Sequence, residues 1–435
     1  MIGSVGRGMR PCPCAASVPD VAKQRDLTLL LVATALSSLG DELALIALTI
    51  KVFELSHSAL SVTALLVAGL LPMVVFAPVA GLLVDRSEKV RLAAVVAVIQ
   101  AVLAFAMAGT LNVPAILVLS FLLGTGAAIS SPTLVAIVPS IVRDRDTTKA
   151  NAWLEAGRYA GWVLGPILGG VLAQTVGSGW ALSVDGISFI VIAAAVLSLS
   201  VRCPPEEHEE NEKHAARKGF GFVWSDPVLR VTVTILVATV LFAAIDNVAE
   251  VFFAREVLHA GSWGFGAIAS AWLTGMVIGA TGIARRLPSG RLPLAVIGGS
   301  LGIGAFVLAG AAIGRTVPAI AFFFAAGIGN GVQNVSIRSL IHARVPEQLR
   351  GRVFAAYFGL LTFMQIGATV LGGVLIGAFG ARAALIISGG GGVGVALLGL
   401  LWLGSSDVAV QETIVVPELG PVVKIPETET SQDPL

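Results

Sequence analysis

Apolar residues run through this chain in long stretches separated by short polar connectors, and twelve of the stretches could each cross a bilayer as a helix of about 20 residues. They fall at 27–53, 59–84, 92–109, 114–139, 153–175, 180–201, 228–254, 262–284, 294–314, 317–341, 353–377 and 382–404. Lipid offers the backbone no hydrogen bonds, so each stretch is predicted to be helical. The polar connector at 81–91, GLLVDRSEKVR, must then sit at one membrane surface. An even number of spans puts both termini on one side, and the basic residues say which. Of the 28 Lys and Arg, 23 fall in the tails and the connectors after the second, fourth, sixth, eighth and tenth spans; only Lys51, Arg255, Arg315 and Arg382 fall outside these, with Arg158 inside the fifth span. The positive-inside rule therefore predicts a multi-pass protein of the cell membrane with both termini cytoplasmic.

The chain divides into a tail at 1–26, a six-helix bundle at 27–201, a linker at 202–227, a second six-helix bundle at 228–404 and a Pro-, Glu- and Thr-rich tail at 405–435, predicted to be disordered. The first half of the linker is too charged to form a core, whereas Phe220, Phe222 and Trp224 suit a stretch lying along the membrane interface. The bundles read as repeats: LVAIVPSIVRDRDTTKANA after the fourth span aligns with IRSLIHARVPEQLRGRVFA after the tenth, placing Val142 over Val345, Asp144 over Glu347 and Lys149 over Arg352. The predicted fold class is thus all-α integral membrane, with twelve transmembrane helices in two pseudo-symmetric six-helix bundles. A site between such halves at mid-membrane is the plan of many secondary transporters.

Composition narrows the function. With 56% hydrophobic and only 13% charged residues, the chain departs from soluble proteins, where about a quarter are charged. A net charge of +1 argues against nucleic acid, which needs a concentrated basic surface. Three cysteines, Cys12, Cys14 and Cys203, make no even disulfide framework, and Cys12 and Cys14 lack the further Cys or His that a metal would need. There is no Gly-x-x-x-x-Gly-Lys-Ser/Thr loop for ATP, no His-Glu-x-x-His and no Gly-x-Ser-x-Gly, so no enzyme, ATP-driven pump, metal or cofactor is expected.

Acids inside the spans carry the candidate chemistry. Thr34, Ser37 and Asp41 share a face of the first span, with Glu42 beside them. In the seventh, Thr232, Thr239 and Asp246 recur every seven residues and Glu250 lies one turn further on. A carboxylate in hydrocarbon costs at least a few kcal/mol, so such groups face a watery cavity, find a partner or carry a proton that is loaded and released as access alternates. Simple hydration at the extracellular mouth is the plain alternative. Asn330, Gln333 and Asn334 in the tenth span either line the cavity or hydrogen-bond between helices. Gly161, Gly165 and Gly169, with Pro166 and Gly170, give the fifth span a smooth face and a bend. Glu155 and Arg158, one turn apart, are expected to pair.

The stretch from Gly81 through Asp85 and Arg86 to Arg91 resembles the Gly-x-x-x-Asp-Arg loop between helices 2 and 3 of the major facilitator superfamily, and GWVLGPILGG at 161–170 is similar to the helix 5 pattern of its antiporter branches. SSLGDELALIAL, LPMVVFAPVAGLLVDR, SSPTLVAIVPSIV and Asp185-Gly-Ile-Ser-Phe189 resemble the drug exporters of the macrolide-efflux and enterobactin-exporter type. The resemblance covers the chain from the first span to the twelfth, except that ARRLPSGR after the eighth lacks an acid matching Asp85. It implies a monomeric, proton-coupled exporter of amphipathic small molecules, with Asp85 as a gate that meets the cytoplasmic end of helix 11 in the outward-facing state. A dedicated exporter of an endogenous compound such as a siderophore, or a transporter-like receptor that moves nothing, are the competing readings.

Overall fold

The computed structural model describes residues 20–142, 144–201 and 221–405, so the cysteines, most of the linker and the C-terminal tail lie outside the described residues. The order is α1 (Asp20–Ser56), α2 (Ala59–Val75), α3 (Ala77–Arg86), α4 (Lys89–Gly109), α5 (Val113–Ile141), α6 (Asp144–Thr175), α7 (Ser178–Leu197), α8 (Pro227–Ala243), α9 (Asp246–Phe252), α10 (Gly261–Ile278), α11 (Leu292–Ala312), α12 (Thr316–Arg344) and α13 (Glu347–Ser405). Among the described residues nine helices are long and apolar enough to cross a membrane, or ten when α2 and α3, bent by 59°, are one span. α13 is two helices joined at Gly380. The Gly-rich α6 is a further long helix outside that set.

Two copies of one plan are visible in the helix ends. α4 and α11 run 89–109 and 292–312, and α5 and α12 run 113–141 and 316–344, a constant offset of 203 at all four ends. The same offset relates Gly177, with φ 94°, to Gly380, with φ 81°. Gly177 ends the turn before α7, and Gly380 breaks α13 at the matching place, because glycine alone enters that backbone region without strain. Packing repeats too. α4 lies against α5 and α7 as α11 lies against α12 and α13, and α2 meets α5 as α10 meets α12.

Polar side chains close the helix ends. Ser58, Glu88, Asn112 and Asp226 cap α2, α4, α5 and α8. The 81–91 connector is shorter than its sequence suggests, because Gly81 to Arg86 are helical in α3 and Glu88 caps the next helix, accepting from Val90 and Arg91. Two basic residues that fall outside the tails and even-numbered connectors also serve helix ends: Lys51 donates to the Met107 and Ala108 carbonyls of α4, and Arg382 to Ala311 of α11. α1 begins at Asp20, inside the stretch read as a tail, and is anchored there by Asp26, which accepts from the Ser200 amide. Large apolar side chains such as Val102, Val118, Leu398 and Leu401 cover the outside, as hydrocarbon requires.

The core has three main parts. One draws on both halves, joining Ile50, Phe53 and Leu65 to Ile245, Phe252 and Leu385. The other two lie at the end that bears the termini and stay separate, one built from α1, α4, α5, α6 and α7 and one from α8, α11, α12 and α13. Among the described residues the shared core therefore lies at one end.

Candidate functional site

The seam between the halves is α6 against α10 and α2 against α13. Both contacts depend on small residues. Gly170 lies against the Ser262 backbone, Gly266 against Pro166 and Gly373 against Thr63, each with no room for a β-carbon. At the Pro166 irregularity, the Ile167 amide donates to Ser270 Oγ across the seam at 2.9 Å. The joined end is closed by an ion pair between Glu54 and Arg255 at 2.8 Å. Arg255 also donates to Ser262 and lies 5.4 Å above Phe53, which packs edge-on against Phe252.

Between the halves is a cavity of about 1020 Å³ that reaches from Met107 and Phe265 near the closed end to Leu30, Asn151, Leu154 and Val196 near the end bearing the termini. Asp41, Glu42, Asp246 and Glu250, named from sequence, all line it, as do Thr34 and Ser37. Asp41 is accessible from the cavity while Glu42 and Glu250 are half-buried. Asp246 is only 3% exposed, and neither of its carboxylate oxygens has a hydrogen-bond partner; Ser388 comes near without bonding geometry.

One acid was missed as a candidate. Asp185 of α7 lines the same cavity, is 0% exposed, and has one oxygen unpartnered while the other accepts from Ser188 at 3.4 Å. It is an electrostatic neighbour of Asp41 and sits against Gly40, where a β-carbon would lie 2.8 Å from its carboxylate. A lone acid beside glycine and serine inside an apolar span was the available signal. Among the described residues Arg158 is the one basic side chain of the lining; it pairs with Glu155 at 3.2 Å, faces the field of Asp41 and lies 5.6 Å from the Trp162 ring.

Other candidates divide. Gly161, Gly165 and Gly169 meet α1 at Leu39, Glu42 and Leu43, and a β-carbon on Gly165 would sit 2.6 Å from that of Glu42. The stripe therefore sets how close the acid-bearing helix comes. Asn330 lines the cavity, but Gln333 is buried and donates to Ser300 of α11, tying two helices, and Asn334 bonds back to Asn330 within α12. Thr232 and Thr239 are also buried, on their own helix's carbonyls. Gly81, Asp85 and Arg86 lie on α3, which packs chiefly on α5, and Arg91 begins α4; the end of α13 that Asp85 was expected to meet is not among α3's principal neighbours.

Two helical halves, joined at one end around a cavity that reaches the other, are the arrangement of a membrane carrier. Residues 30–369 match the Major Facilitator Superfamily, and the chain belongs to that family. It is 27% identical over 383 residues to the multidrug efflux pump Tap of Mycolicibacterium fortuitum, covering 83% of this chain and 91% of Tap. It is 26% identical over 289 residues to the enterobactin exporter EntS of Citrobacter koseri, covering 65% and 67%. Among solved structures the nucleoside transporter NupG superposes with a TM-score of 0.73 at 13% identity, over 88% of this chain and 100% of NupG, a likeness of fold. These relatives are transporters, not enzymes.

Proposed function

We propose that the protein exports amphipathic small molecules across the cytoplasmic membrane in exchange for protons, by alternating access. The observation that carries this reading is the cavity: it lies between the halves, is closed at one end by Glu54 and Arg255, and has acids on both walls. With the termini cytoplasmic, as the basic residues indicate, the described state is open inward and ready to load. Asp41, Glu42, Asp246 and Glu250 carry the exchanged protons, since a charge that must cross the apolar layer unpaired is costly and a neutral acid is not. The halves rock about the α6–α10 and α2–α13 seams. Asp85, with Gly81, Arg86 and Arg91, gates the cytoplasmic end by meeting α13 when the cavity faces outward. A monomer, without ATP, suffices.

The multidrug efflux activity named for Tap supports a broad cargo, and the enterobactin export named for EntS supports the second reading, a dedicated exporter of an endogenous compound. Inverted vesicles with an imposed pH gradient should accumulate a fluorescent drug, and Asp41→Asn with Asp246→Asn should abolish the gradient dependence. Undiminished gradient-driven uptake by that double variant would end the coupling assignment. A metabolite comparison of cells with and without the gene separates the two cargoes.

A further inference from the structure

The two halves carry unlike charge at the end that bears the termini. From Val257 to Pro346 the chain contains no Asp or Glu, a stretch that takes in all of α10, α11 and α12. The matching stretch of the first half, 54–143, holds Glu54, Asp85 and Glu88. At the offset of 203, Pro288 stands where Asp85 stands, and Arg291 stands where Glu88 caps α4. The connector from α10 to α11 is therefore purely basic, and its Arg285, Arg286 and Arg291 are all exposed. It is also firmly folded. Two 3₁₀ turns, Ala284–Arg286 and Ser289–Arg291, are closed by the Leu287 amide on Ala284 and the Arg291 amide on Pro288, while Ala284 and Leu292 are buried beneath them. The connector packs on α11 and α12, and neither has an acid to offer. Among the described residues none of the three guanidinium groups has an ion pair. Exposed Ile283 and Leu294 flank the connector on the two spans it joins, which sets the arginines at the boundary between hydrocarbon and headgroups.

We propose that this connector is a binding site for the headgroup of an anionic phospholipid, gathered by Arg285, Arg286 and Arg291. The protein supplies these charges with no counter-charge of its own, and at their depth the available anion is a lipid phosphate. A guanidinium matches phosphate oxygens two at a time, and basic groups beside a charged leaflet add their attractions. A zwitterionic headgroup brings its own cation into the acid-free patch, so it is disfavoured by repulsion. The first half has no such site, because Asp85 and Glu88 stand among the basic residues of its connector.

The test titrates the purified full-length protein in detergent with phosphatidylglycerol or phosphatidylcholine of the same acyl chains, and reads the lipid retained by native mass spectrometry. Phosphatidylglycerol should bind at least about tenfold more tightly; each arginine contributes about fivefold, so Arg285→Gln, Arg286→Gln and Arg291→Gln combined should abolish the preference. Equal retention of the two lipids by the unmodified protein, which needs no variant to fold, overturns the proposal. So does a preference that survives in the folded triple variant. Glycerol 3-phosphate, which has the phosphate without the chains, should leave the bound lipid in place; its displacement of the lipid would make the site one for a soluble phosphate instead. The linker glutamates are the rival occupant within the chain. If phosphatidylglycerol binds only after Glu206, Glu207, Glu209, Glu210 and Glu212 are changed to Gln, the patch belongs to the linker and the lipid assignment is wrong.

Discussion

The two halves agree to the residue in the ends of α4 and α11 and of α5 and α12, and disagree in what they place around the cavity. α4 and α11 share length and register, as do α5 and α12, so the frame is a repeat with little room for drift. Within it, Asp185 of the first half is matched by Ser388 and Arg158 by Leu361. The glycines matching Gly161 and Gly165 are Met364 and Ala368, while Gly169 and Gly170 recur as Gly372 and Gly373. The recurring pair marks the seam end, where Gly170 and Gly373 each touch the opposite half. The pair that does not recur marks the place where α1 alone comes close. A duplicated scaffold has thus kept its seam while its walls diverged, with Arg158 facing Asp41 in one half and Leu361 at the matching place in the other.

The sharpest way to break that comparison is Gly165→Leu. Its side chain must displace Glu42 and α1, and vesicle uptake should fall to background with a clear loss of thermal stability in detergent; the matching Ala368→Leu, also buried, should unfold the protein less readily if only the first half needs the close approach. Next is Arg158→Leu, which gives the first wall the residue of the second. It strips Glu155 and the field of Asp41 of their cation, and transport should drop about tenfold while helix content is unchanged by circular dichroism. Asp185→Asn should slow gradient-driven transport more than Ser388→Ala does, because only the first half couples two acids at that level; equal effects would argue that the walls are interchangeable. The smallest effect belongs to Glu54→Gln. Its pair with Arg255 is partly solvated, worth about 0.2–1 kcal/mol, so labelling from the outside of a cysteine introduced into the cavity wall should rise only a few-fold.

Much of this was legible in the chain. The spans, the repeat and its register, the acids of α1 and α9 and the pairing of Glu155 with Arg158 follow from apolar length, alternation of basic connectors and helical spacing. Other features follow from tertiary placement, which those signals do not contain. The polar stretch after Gly81 stays helical to Arg86 because α3 finds a surface on α5, and Glu88 takes the capping role because it stands one residue before the new helix. Gln333 and Asn334 carry the right spacing for a cavity face, yet Ser300 and Asn330 reach them first. Asp185 was passed over because one acid beside glycine has no helical partner on its own span; its neighbour Asp41 comes from α1.

The shared core at one end and the two separate cores at the other have a thermal consequence. Under the proposed alternating access, facing the other way parts Phe53 from Phe252 and wets that oil, and pressing together the two cores now kept asunder recovers the loss. Turning inside out is then a trade of like for like, with little net change in hydration and hence little heat-capacity difference between the two orientations. Such a balance stands near level, where a single proton or a single passenger is weight enough to tip it.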